Sequence, residues 1–183
     1  TLGDYFNNHD LEPVDTNHEE FDKAEKEVKE RIDKLLSIQG TRTVDDFHRS
    51  LGKIMWDNVG MSRNEARLKE AITEIQKLRA EFWKDVKIPG KAEGINDELE
   101  KAVKVADFLE LGELMARDAL ERVESCGGHF REESQTPENE ALRDDEKFAH
   151  SAVWEFKGEK EAPVRHREEL KFENVPLTQR SYK

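Results

Sequence analysis

The chain has 183 residues, enough for one domain of ordinary size with a single hydrophobic core and a small appendage. Charged residues make up 39% of it and the net charge is −12, which argues against nucleic acid, whose binding demands clustered Lys and Arg, and against an anionic membrane surface. No apolar run approaches the roughly 18 residues of a membrane span, the opening residues do not read as a signal peptide, and a single cysteine permits no internal disulfide, as suits a reducing compartment.

Residues 1–16 carry Pro13 among scattered Asn and Asp and read as an irregular linker, beginning at Thr1 as an excised fragment would. A first helix is expected from Asn17, with Glu20 completing a capping pair. Its apolar residues Phe21, Ala24, Val28, Ile32 and Leu35 share one face. On the other face Asp22–Lys26, Glu25–Lys29, Glu27–Arg31 and Glu30–Lys34 place each acid four residues before its base, the favourable order. Gly40 reads as the stop. A second helix is expected from Thr43, with Asp46 in the reciprocal capping position, burying Val44, Phe47, Leu51, Ile54 and Met55 up to Gly60.

Ser62 and Glu65 form a further capping box, opening a third helix with Leu68, Ile72, Ile75, Leu78, Phe82 and Val86 on one stripe and Ile88-Pro89-Gly90 as its stop. The fourth and longest helical run extends from about Asn96 to Val123. From Phe108 to Ala116 it is apolar nearly all round, so this helix is expected between its neighbours and a further surface, with Gly112 allowing a close backbone approach. These elements predict a mainly α fold: a three-helix, spectrin-repeat-like bundle with one additional short helix over residues 17–123.

Beyond it, residues 124–183 read as an irregular extension. Ala152, Trp154 and Phe156 alternate as a short strand, Leu170 and Phe172 as a second, and Gly158 to Pro163 joins them in a hairpin. Between bundle and hairpin lies the stretch richest in chemistry, Glu124-Ser125-Cys126-Gly127-Gly128-His129-Phe130-Arg131-Glu132, followed by Arg143-Asp144-Asp145. The glycine pair reads as the helix stop.

His129 with Glu132, Glu133, Asp144 or Asp145 has the composition of an acid–base pair, yet such imidazoles more often serve structure. Cys126 and His129 lack the further ligands of a zinc site and the third group of a nucleophilic triad. Asp45-x-x-His48 supplies one imperfect arm where a di-iron bundle needs two. Arg131, Arg143 and Arg180 could fork onto a dicarboxylate, but the many nearby acids or a partner domain suit them better. No Gly-x-Gly-x-x-Gly follows a strand, so no dinucleotide fold is expected in this chain.

The order Glu124-Ser125-x-Gly127-x-His129-x-Arg131-Glu132, then Arg143-Asp144-Asp145, resembles the C-terminal region of the flavoprotein subunit of succinate dehydrogenases and fumarate reductases. Leu51-Gly52-Lys53-Ile54-Met55-Trp56, Val59-Gly60-Met61-Ser62-Arg63, Leu114 to Leu120 and the ending Arg180-Ser181-Tyr182 resemble the same family, so the similarity spans nearly the whole chain. Cys126 departs from it, standing where many members carry arginine, and Gly128 stands where alanine is common.

The resemblance implies a piece of a succinate/fumarate oxidoreductase that holds no cofactor itself, FAD belonging to an upstream domain of the complete subunit. It implies no catalytic residue here and no metal. The implied partners are that FAD domain and the iron–sulfur subunit, at a cytoplasmic site peripheral to the inner face of the cell membrane. Ser125, Cys126, Gly127, Gly128, His129, Arg131, Arg143, Asp144, Asp145, Arg180 and Tyr182 are then candidate docking residues. Two other readings are a free-standing helical adaptor that binds proteins, and a metal or thiol hydrolase built on Cys126 and His129.

Overall fold

The structure, a computed structural model, describes residues 1–10, 15–158 and 161–178. A short exposed helix, α1 (Leu2–Asn8), replaces part of the expected linker; Thr1 and Asp4 close it with a reciprocal cap. The next helix, α2 (Glu19–Ser37), starts two residues later than expected, because the His18 ring rather than Asn17 accepts from the Glu20 N–H. Its stripe is only partly used. Leu35 alone is buried, while Phe21 and Val28 lie exposed, so only the last turns of α2 reach the bundle.

Tertiary contacts also override the expected pairing along α2. Arg31 turns to Asp107 of the longest helix and Lys34 lies over the Trp83 ring, while Lys26 pairs within α2, with Glu30. A base that can reach a neighbouring element gains more there than from a solvated pair on its own helix.

The bundle proper consists of α3 (Val44–Asn58), α4 (Glu65–Asp85) and α5 (Asp97–Glu121). Thr43 caps α3 as expected, accepting from the Asp46 N–H. Asn96 caps α5, accepting from the Leu99 N–H, and its amide also donates to the Pro89 and Lys91 carbonyls across the preceding turn. The cap of α4 is Asn64, not Ser62; its side chain accepts from the Arg67 N–H and leaves Glu65 as the first helical residue.

One core cluster joins Leu35, Val44, Phe47, Leu51, Ile75, Leu78, Phe82, Val86, Val105 and Leu109, with Phe47 and Phe82 edge to face at 5.3 Å. A second, of Val59, Leu68, Ala71, Ala116 and Ala119, continues it toward the C-terminal end of α5, with Ile54 and Met55 packed against both. These are the stripes read from the sequence, buried against one another.

Two glycines act through space. Gly40 is not a helix stop: α2 has ended at Ser37, and a Cβ at Gly40 would lie 2.1 Å from the Asp85 carbonyl carbon. That approach lets β1 (Arg42–Thr43) pair in parallel with β3 (Val86–Lys87). Gly112 admits side chains rather than a backbone, with Met55 Sδ 3.3 Å and Leu51 Cδ1 3.4 Å from its Cβ position.

The extension begins with β4 (Phe130–Arg131), which pairs in parallel with β2 (Ser62–Arg63) beside the start of α4. After a four-residue helix, α6 (Asp145–Phe148), the antiparallel hairpin joins β5 (His150–Glu155) to β6 (Val164–Glu169). The second strand thus lies earlier than Leu170 and Phe172, because the register is set by pairing with β5 and not by an apolar alternation. Trp154 Nε1 donates to Asp118 at 2.7 Å and Arg165 pairs with Glu121, holding the hairpin on α5.

Candidate docking interface

An α-helix ends with four carbonyls that have no partner within it, and begins with N–H groups in the same condition. The extension answers both problems at once. Helix α5 stops at Glu121, six residues before the glycine pair, and its last turn is closed by side chains from the stretch that follows. Arg131 Nη1 donates to the Ala119 carbonyl at 2.9 Å and the Leu120 carbonyl at 3.1 Å. His129 Nε2 lies 2.8 Å from the Arg122 carbonyl. Cations at the C-terminal end of a helix also complement its dipole.

The chain can turn back to do this because Gly127 adopts φ +58 at the tip of a tight turn, in which Cys126 and His129 exchange two backbone hydrogen bonds. Buried Ser125 fixes the other side, accepting from the Arg131 N–H at 2.8 Å and donating to its carbonyl. The same segment then caps α4. Glu133 accepts from the Glu65 N–H at 2.6 Å, and Glu132 accepts from Ser62 Oγ and Asn64 Nδ2.

The partners of His129 define its protonation state. Arg63 Nη1 lies 2.7 Å from Nδ1, and a guanidinium can only donate, so Nδ1 accepts and the proton sits on Nε2, facing the Arg122 carbonyl. Burial is the main cause that lowers its pKa from 6.5, with the charges of Arg63, Arg131 and Arg122 adding to it against the pull of the Arg122 carbonyl. Arg63 also donates through Nε to the Val59 and Gly60 carbonyls, tying the end of α3 into the same knot. Burial opposes ionisation of Glu133, yet the Glu65 N–H and Arg131 outweigh it and hold that carboxyl below its ordinary range. Hydrogen bonds from Asn64 and Ser62 do the same for Glu132.

The candidate residues therefore divide. Ser125 and Arg131 are buried and spend their polar groups inside the chain; His129 is half-buried and similarly committed. Gly127 and Gly128 are exposed at the turn, with Cys126 half-buried beneath them as a free thiol. Arg143 makes a two-pronged pair with Asp145, at 2.8 and 2.6 Å, and Asp144 caps α6. Arg180 and Tyr182 lie outside the described residues.

Both ring nitrogens of His129 are engaged, so it is not poised as a base for Cys126. No group of three metal-ligating side chains occurs among the described residues, and Asp45 faces Lys101 at 3.6 Å instead of a metal partner. Three residues central to the knot, Arg63, Arg122 and Glu124, were not among the candidates. Glu124 is buried, pairs with Arg122 at 2.7 Å and accepts from the Asp144 N–H. A carboxylate immediately after a long helix, two residues from an arginine, was the local signal for it.

The described residues thus form a helical bundle whose C-terminal extension caps two of its helices. By sequence the chain belongs to the fumarate reductase flavoprotein C-terminal family, whose model matches residues 48–182. The fumarate reductase flavoprotein subunit of Helicobacter pylori is 32% identical over 171 residues, covering 92% of this chain and 23% of that protein. The corresponding subunit from a Serratia strain is 24% identical over 180 residues, or 98% of this chain and 29% of its own. The chain thus spans about a quarter of the length of these relatives.

Among solved structures, a mutant of E. coli quinol fumarate reductase FrdA superposes with a TM-score of 0.77 at 21% identity, covering 91% of this chain and 27% of that one. Mycobacterium smegmatis Sdh1 gives 0.71 at 23% identity, covering 92% of this chain and 26% of its own. At these identities the likeness establishes the fold.

Proposed function

We propose that this chain is the C-terminal structural module of a flavoprotein subunit that interconverts succinate and fumarate, packing on an FAD domain and lying beside an iron–sulfur subunit. In this reading residues 1–16 lead from the flavin domain, 17–123 form the bundle and 124–183 form the extension. The assembly sits in the cytoplasm at the inner face of the cell membrane. No helix among the described residues is long and apolar enough to cross a membrane itself. The carrying observation is the family match over residues 48–182 in a chain that spans only about a quarter of its relatives.

The geometry supports a module without catalytic residues, because His129, Arg131 and Glu133 are committed to capping helices. It also supports an FAD held elsewhere. A pyrophosphate seeks a free helix N-terminus, but α3, α4 and α5 are closed by Thr43, Asn64 and Asn96, and Glu132 and Glu133 add negative charge at α4.

The test is purification of the native assembly containing this chain, followed by flavin spectroscopy and viologen-linked fumarate reduction. FAD and activity are expected in the assembly, and neither in the separately expressed 183-residue chain. Flavin bound by that chain alone, or an assembly without flavin, overturns the proposal.

A further inference from the structure

The longest helix is buried on most sides yet keeps one uncovered stripe. Phe108, Leu111 and Met115, spaced three and four residues apart on α5, are 42%, 52% and 47% exposed. Ala102, Val105, Ala106, Leu109, Ala116 and Ala119 of the same helix are buried. A soluble helix ordinarily turns a polar face to water, so three large apolar residues in one row mark a contact surface.

Beside the stripe, between α4, α5 and the hairpin, lies an open cavity of about 570 Å³. Leu111 belongs to both the stripe and the cavity. Leu114, Trp154 and Phe156 supply the apolar wall, and Phe156 is 71% exposed. Its floor is Glu113, 6% exposed, held by Gln76 and Arg117 on one oxygen and by Arg79 at 2.8 Å from the other. The charged groups along it are four acids, Asp107, Glu110, Glu113 and Glu161, against two bases, Arg79 and Arg117. Both arginines are bound to Glu113, Arg79 also pairs with Glu110, and Asp107 pairs with Arg31 of α2. Four acids against three bases, Arg31 included, leave the rim one net negative charge, in a chain that carries −12 overall.

We infer that the stripe Phe108–Leu111–Met115 and the adjoining cavity receive an apolar segment bearing at least one basic side chain, contributed by the rest of the flavoprotein subunit. This rests on the function proposed above. Three observations select that occupant. The relatives carry three to four times the length of this chain, 23% and 29% being the shares covered, so a large body remains to be packed. The apolar stripe and cavity wall are continuous through Leu111, which suits a chain segment laid along α5 rather than a small solute in the cavity alone. The acidic rim complements a basic group and repels an acidic one.

Cysteine accessibility tests this. Phe108→Cys, Leu111→Cys and Phe156→Cys are labelled with a maleimide, in the 183-residue chain alone and in the FAD-containing assembly, with Trp56→Cys and Val28→Cys for comparison. Sites are read by peptide mass, so native Cys126 does not interfere. All five positions are exposed in the isolated chain and are expected to react rapidly there. In the assembly, at least tenfold slower labelling at 108, 111 and 156 is expected.

Protection confined to Trp56 or Val28 overturns this inference while leaving the module docked through another face. No protection anywhere in a flavin-containing assembly refutes the packing reading itself. The double variant Glu110→Gln/Glu161→Gln is expected to speed labelling at Leu111→Cys in the assembly roughly threefold, the scale of exposed ion pairs. An unchanged rate overturns the basic character assigned to the segment.

Discussion

Replacing Arg131 by methionine keeps a long apolar stem and removes the fork that closes α5. Two carbonyls lose their donor. That of Ala119 is buried, and an unsatisfied buried acceptor costs about 1–3 kcal/mol. That of Leu120 is partly buried and recovers some of its loss from water. The pair with Glu133, whose side chain is 40% exposed, adds about 0–1 kcal/mol. Together these predict a loss of roughly 3 kcal/mol, or ~6–12 °C in melting temperature for a chain of this size. Circular dichroism with heat and with urea measures it. Arg131→Lys retains the charge but cannot span both carbonyls, so it should fall between the two. A loss under about 1 kcal/mol for Arg131→Met would refute the claim that the extension caps α5.

Acid should loosen the same knot in two stages. The folded chain keeps His129 neutral below the ordinary 6.5 while the unfolded chain takes up a proton, so this contribution is complete above pH 6.5 and is lost as pH falls toward the lower folded value. Glu133 and Glu132, also depressed, contribute above their ordinary 4.5 and are lost as pH falls further. Urea midpoints across pH 7 to 3 measure both stages, and His129→Gln should flatten the first alone; an unchanged slope would show that His129 is not the proton site. The two packed glycines should respond oppositely to alanine. Gly40→Ala drives a Cβ into the Asp85 backbone and should cost at least about 1–3 kcal/mol. Gly112→Ala meets only movable side-chain ends and gains up to about 1 kcal/mol of helix propensity, so it should be neutral or slightly stabilising in thermal melts. Limited proteolysis should spare the 123–133 segment in the wild-type chain and cut it in Arg131→Met.

The bundle was legible because its information is local. Thr43 with Asp46, and Asn96 ahead of a long apolar run, carry their own capping chemistry, and the stripes through Phe47, Ile75 and Leu109 repeat with the helical period. Misplaced boundaries arose where adjacent residues offered equivalent caps: Asn64 displaced Ser62, and His18 displaced Asn17. The knot was only half legible. Its residue types stood out, and a charged cluster after a glycine pair suggested contact with another body. Its actual partners are mostly main-chain groups at Ala119, Leu120, Arg122 and Glu65, and a carbonyl has no signature in a sequence. The hairpin and its first strand were legible, and the second strand was misplaced for a related reason. The Val164–Glu169 strand is nearly all polar, so its register is written in backbone pairing with β5 and not in apolar alternation.

Why one segment should carry both a cationic and an anionic cluster follows from the antiparallel course of α4 and α5. The C-terminal end of α5 and the N-terminal start of α4 lie at the same end of the bundle, where exposed carbonyls and exposed N–H groups sit side by side. His129 and Arg131 answer the first, Glu132 and Glu133 the second, and β4 against β2 fixes the spacing between them. Arg131 also bridges to Glu133, so the two clusters reinforce each other. A helix end sealed by charges from a single segment cannot fray without releasing the other. The extension is thus a cooperative part of the bundle, and the docking surface we infer is the apolar stripe on α5, built by a different helix face from the one the charged loop seals.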